Sequence, residues 1–84
     1  MPMKKNDYPR VEVDWIDSAF HRGWSTLETK QKEMNVAQCR TVGFLIHRDR
    51  DKLCISSHLA DDNVDAADAL AIPAVAVRRV RILK

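Results

Sequence analysis

With 84 residues, 45% of them apolar, and a formal net charge of +2, the chain has material for one domain with a modest core and little margin beyond it. No run approaches the ~20 apolar residues a membrane span needs, and so small a net charge does not by itself mark a nucleic-acid binder. Two cysteines, with no apolar export segment after Met1-Pro2-Met3-Lys4-Lys5, predict a reduced intracellular compartment rather than a disulfide-stapled secreted module.

Residues 1–9 are polar, carry Pro2 and Pro9 and lack periodicity, which predicts a flexible N-terminal arm ahead of a single small domain over residues 10–84. Val11, Val13 and Trp15 alternate with Glu12, Asp14 and Ile16, the period of two expected of a half-buried first strand. Asp17 to Gly23 breaks that pattern, and Ser25-Thr26-Leu27-Glu28 has capping-box spacing, which predicts a short helix over roughly Thr26 to Glu33. Its apolar stripe is thin, essentially Leu27 and Met34, so the helix is expected on the surface and prone to fray.

Cys39 to His47 and Lys52 to Ala60 are rich in Val, Phe, Leu and Ile and flank the charged turn Arg48-Asp49-Arg50-Asp51, the pattern of a β-hairpin. With Arg48 opposite Asp51, Ile46 meets Leu53, Phe44 meets Ile55 and Val42 meets Ser57, which gathers the apolar residues on one face. The opposite face then carries Thr41, Gly43, Leu45 and His47 against His58, Ser56, Cys54 and Lys52. In this register Cys39 and Cys54 stand about 20 Å apart along the strands, too far for an intramolecular disulfide.

Asp61 to Asp68 reads as an acidic loop, Ala69 to Ile72 as a fourth short strand stopped by Pro73, and Ala74 to Val77 as one tight turn. A last strand, Arg79 to Leu83, then points Val80 and Ile82 inward and Arg79, Arg81 and Leu83 outward. The expected fold is mostly β: a small five-stranded SH3-like or Sm-like barrel with one short helix between strands 1 and 2. Lys and Arg are absent from Leu53 through Val77, where Asp61, Asp62, Asp65 and Asp68 fall, whereas Arg78, Arg79, Arg81 and Lys84 crowd the end. Such a distribution suits a solvated surface, the steering of an anionic ligand, or the pairing of one subunit with the next.

Catalytic signatures are missing from this pattern. Cys54 and His58 share a strand face but lie ~13 Å apart at that spacing, so a cysteine nucleophile has no base within reach. Without Cys-x-x-Cys or His-x-x-x-His there is no metal-ligand spacing, and with Gly23 and Gly43 the only glycines there is no phosphate-cradling loop. Gly43 inside a strand instead predicts a bulge or sharp bend. The remaining lead is the outward basic set: Arg78, Arg79 and Arg81 with Arg40 offer planar forks for phosphate oxygens, and Trp24 offers a flat surface for a base. Trp15 and Trp24 as core, with the arginines guarding an edge strand, is the competing structural reading.

Val13-Asp-Trp15-Ile-Asp17-Ser18, Gly23-Trp24, Cys39-Arg-Thr-Val-Gly-Phe-Leu-Ile46, and Ile72-Pro73 followed by the Arg-rich end resemble a group of small uncharacterised proteins of tailed bacteriophages. The resemblance covers most of Val11 to Leu83. It implies an accessory protein of the host cytoplasm that binds a host component, as do short phage proteins that trap the nucleotide messengers of bacterial immunity.

The expectation that follows is a non-catalytic homo-oligomer without cofactor. It would bind an anionic nucleotide-like ligand through Arg40, Arg78, Arg79 and Arg81, with Trp24 stacking and Thr41 and His58 adding hydrogen bonds. An RNA- or DNA-binding Sm/SH3-like barrel and a host-protein interaction module are the alternatives.

Overall fold

A computed structural model describes residues 8–62 and 64–84. Five strands, β1 (Arg10–Asp17), β2 (Ala37–Arg48), β3 (Lys52–Leu59), β4 (Ala66–Pro73) and β5 (Val77–Ile82), are accompanied by one helix, α1 (Leu27–Glu33), and a 3-10 turn, Ala74–Ala76. All pairings are antiparallel, and the strands form one sheet in the order β4-β3-β2-β1-β5. The mostly β expectation holds in this form. β4 and β5 are the two ends of the sheet and do not pair with each other, so it is not closed into a barrel.

The alternation of the first strand is realised over its first half: Val11 and Val13 are completely buried, and half-buried Trp15 packs against them. Residues 1–7 of the expected arm lie outside the described residues. Pro9, at its end, already belongs to the ladder, its carbonyl accepting the Leu45 amide at 2.8 Å.

Val11 and Val13 of β1 share one cluster with Leu53 and Ile55 of β3 and Ile72 of β4, and Leu45, Ala76, Val77 and Val80 pack against it. In a flat sheet β1 and β4 would stand three strand spacings apart, about 14 Å. A common core therefore requires the sheet to curl. Gly43 permits this: a Cβ there would run into Ile55 Cγ2 and stand 2.7 Å from the Ser56 carbonyl oxygen. The ladder slips between Leu45 and His47, making a bulge at Ile46, and bulges increase local bend and twist.

That bulge corrects the hairpin register. Phe44 lies opposite Ser56 and Leu45 opposite Ile55, while His47 meets Cys54 and Arg48 meets Leu53. Leu45, not Phe44 or Val42, thus shares the core face with Ile55, and Val42 is 56% exposed. The turn is also one pair wider than Arg48 opposite Asp51. Asp49 N–H donates to the Lys52 carbonyl at 2.9 Å, and Asp49 Oδ1 accepts the Asp51 and Lys52 amides at 2.8 and 2.9 Å, an Asx turn. Cys39 lies opposite Trp15 and Cys54 opposite His47, and both thiols are free.

β4 begins earlier than Ala69. Ala66 and Ala67 continue the ladder against Leu59 and His58, and Asp68, at φ +46°, sits inside the strand. The acidic loop is correspondingly shorter, closed by Ala60 N–H on the Asp65 carbonyl at 2.9 Å. Its Asn63 lies outside the described residues. In β5, which starts at Val77 rather than Arg79, Val80 is half-buried, whereas Ile82 shares its face but is 68% exposed at the strand end.

Helix α1 starts one residue later than expected and is capped differently. Thr26, not Ser25, is the N-cap, its Oγ1 accepting the Thr29 amide at 3.1 Å. Glu28 turns outward to Lys32 at 2.8 Å instead of closing a capping box. No residue of the helix is buried.

Candidate functional site

The strand β1 runs between β2 and β5, and two carboxylates on its outward face, Glu12 and Asp14, meet arginines of both neighbours. Asp14 lies opposite Arg40 on one side and Arg79 on the other, and Glu12 lies opposite Arg81. Arg40 Nε donates to Asp14 Oδ1 at 2.7 Å and stands 3.8 Å from Glu12, and Arg81 pairs with the other oxygen of Glu12. The hydrogen bond from Arg40 holds the Asp14 carboxyl below its ordinary range, helped by the charges of Arg40 and Arg79 and opposed by desolvation. Asp14 in turn raises Arg40. Both groups are ionised at neutral pH, and much of the Arg40 charge is answered within the protein.

A slip in the β1–β5 ladder between Asp14 and Trp15 pairs Trp15 with Val77 and leaves Arg78 as the extra residue. Freed from the ladder, Arg78 donates to the Val75 carbonyl at 3.0 Å. Among the described residues it has no carboxylate within ion-pair distance. Beyond Trp15 the β1–β2 pair continues alone to Asp17 and Ala37. An open cleft of about 540 Å³ forms there, lined by Asp14, Trp15, Ile16, Gln38, Cys39, Arg40 and Arg78. Trp15 is held in place by its indole N–H, which donates to Thr41 Oγ1 at 2.9 Å.

The expected ligand residues are only partly gathered. Arg40 and Arg78 line this cleft, and Arg79 and Arg81 continue the charged strip on the outer face. Thr41 holds Trp15 from the core side of β2. Trp24 is fully exposed in the segment before α1 and does not line the cleft. His58 lies on β3 opposite Ala67, beside a separate shallow groove with Leu59, Asp65 and Ala66, and its Nδ1 is 2.8 Å from Ser57 Oγ.

Glu12, Asp14, Trp15 and Gln38 are not among the residues expected to hold a ligand. For the two carboxylates a signal exists: acidic residues at alternate positions of the first strand match arginines at alternate positions of the last. The described residues hold no group of three or more His, Cys, Asp or Glu side chains able to hold a metal ion, and no helix long and apolar enough to cross a membrane. Neither family models nor curated proteins nor solved structures give a match to this chain.

Proposed function

We propose that this chain is a non-catalytic phage-type accessory protein that binds an anionic, nucleotide-like ligand in the cleft between β1, β2 and the start of β5, and so interferes with a host process such as antiviral signalling. The observation that carries the reading is the pairing of Arg78, without a carboxylate partner among the described residues, with Arg40 across a cleft of about 540 Å³, within the ~300–1,000 Å³ common for small-molecule sites. Half-buried Trp15 supplies a flat apolar wall and Gln38 an amide for orientation. Glu12 and Asp14, interleaved with the arginines, repel a continuous phosphate track, which favours a compact ligand over RNA or DNA.

The strand order, the 3-10 turn joining β4 to β5 and the core shared by β1, β3 and β4 support assigning the curled sheet to the small SH3-like or Sm-like type. Calorimetry with a panel of mono-, di- and cyclic nucleotides tests the ligand reading. Binding should weaken about tenfold or more in Arg78→Ala, since hydrogen bonds to charged groups contribute roughly 1.5–3 kcal/mol. Absence of both heat and thermal shift across the panel defeats it.

The edge strand β4 favours a second reading as a protein-interaction module. Seven of its eight residues are exposed and only Ile72 is buried, so its outer edge is open to an added peptide strand. Protection of β4 amides from exchange on adding a host protein, with the cleft unaffected, distinguishes this from nucleotide binding.

A further inference from the structure

Between the ends of β1 and β2 lies segment 18–36, which carries Phe20, Trp24, Leu27, Met34 and Val36 at 87, 102, 77, 45 and 57% exposure. Nothing among the described residues covers them. The molecule is drawn out to 54 × 23 × 22 Å with a radius of gyration of 16.6 Å, against about 12 Å for a compact domain of this length. A seven-residue helix without a buried residue is far below the ~12–15 residues at which isolated helices become even marginal in water.

The segment is nonetheless organised. Lys30 Nζ donates to the Gly23 and His21 carbonyls at 2.8 and 3.2 Å, tying the loop back onto the helix, and Gly23 takes the positive φ of +87° that this turn needs. Leu27 opens α1 and Met34, seven residues on, is its C-cap, a spacing that places both near one side of the helix. Met34 also borders two adjoining grooves, one shared with Phe20 and one with Val36. Phe20, Met34 and Val36 thus meet along adjoining grooves, with Trp24 and Leu27 exposed on the same tied-back segment.

We propose that segment 18–36 is a self-association surface, through which two copies of this chain pack α1 and its flanking apolar residues against each other. Two arguments select a second copy as occupant. The first is area: Phe20 and Trp24 alone offer roughly 300–500 Å², and with Leu27, Met34 and Val36 the surface approaches the ~800 Å² per partner of a stable interface. The second is charge: α1 carries two acids, Glu28 and Glu33, and two bases, Lys30 and Lys32, so a second copy of the same helix meets a balanced face rather than a like-charged one. Because the interface is separate from the cleft, it stands or falls independently of the ligand reading.

Sedimentation velocity on the full chain from about 1 to about 100 µM should show a monomer–dimer equilibrium. A double variant, F20S with L27S, should raise the dissociation constant about tenfold or more. Neither residue is buried, so the far-ultraviolet spectrum of the sheet should be unchanged, which separates lost association from lost folding. In Trp15→Phe, Trp24 becomes the only tryptophan, and its emission should shift to the blue as dimer forms. A monomer at every concentration with water-like Trp24 emission overturns the proposal and leaves the surface to a different partner. A dimer indifferent to the double variant overturns it as well.

Discussion

The curled sheet and segment 18–36 solve the problem of a short chain in opposite ways. The sheet buries Val11 and Val13 of β1 with Leu53, Ile55 and Ile72 of the sequence-distant β3 and β4, whereas the segment buries none of its helix and relies on a Thr26 cap and the Lys30 links. One region is held by non-local burial, the other by local hydrogen bonds that water can compete for. Such regions open with different free energies. The sharpest way to break the comparison is Leu53→Ala, which removes a 1%-exposed core side chain and should cost about 2–5 kcal/mol. Denaturant unfolding followed by circular dichroism measures it. A loss below about 1 kcal/mol would mean that the sheet is not the stabilising unit.

Gly43→Ala tests the curl rather than the core. The added methyl meets Ile55 and stands 2.7 Å from the Ser56 carbonyl, backbone that cannot swing aside, so a loss of about 1–3 kcal/mol is expected. Unfolding midpoints of the two proteins decide it, and an unchanged midpoint would show that β3 can retreat from β2.

The sequence disclosed most of the sheet and, through Gly43, that β2 bends, but not where the ladder slips. Strand alternation in Val11-Glu-Val13-Asp-Trp15 follows from burial of one face, and a single chain records it. The bulge at Ile46 and the early start of β4 leave no such trace, because they depend on how β3 meets its neighbours in space. A register counted from the turn is therefore wrong by the width of the Asx turn and the bulge. At the cleft, Arg40 and Arg78 were legible as arginines without apolar roles. Their separation from Trp24 and His58 was not, since it depends on which strands become neighbours.

The Thr26 cap sharpens the comparison from the other side. Thr26→Ala removes the acceptor of the Thr29 amide and should destabilise α1 by about 0.5–2 kcal/mol. Global unfolding of the sheet should stay unchanged. Hydrogen exchange resolves the two: faster exchange confined to α1 amides is expected. Equal acceleration in β1 and β3 would join the regions into one cooperative unit.

The smallest effect belongs to the β2–β3 turn and appears only in acid. His47 Nε2 lies 2.7 Å from Asp49 Oδ2, and this contact, with the Asp51 and Lys52 amides, brings the Asp49 carboxyl down to about 2. A carboxyl that is more acidic folded than unfolded stabilises the fold above its unfolded value near ~3.9, and that contribution is lost as pH falls toward the folded value. Stability should therefore decline between about pH 4 and pH 2. Asp49→Asn keeps an oxygen for the turn amides but cannot titrate, so its decline over this window should be shallower than that of the unaltered protein. Asp14, also lowered, contributes equally to both proteins and cancels in the difference. Because the turn joins two core strands, the change should appear in the thermal midpoint of the sheet. Parallel declines in the two proteins would remove Asp49 as the source, and a change confined to α1 would place the acid-sensitive contact in the wrong region.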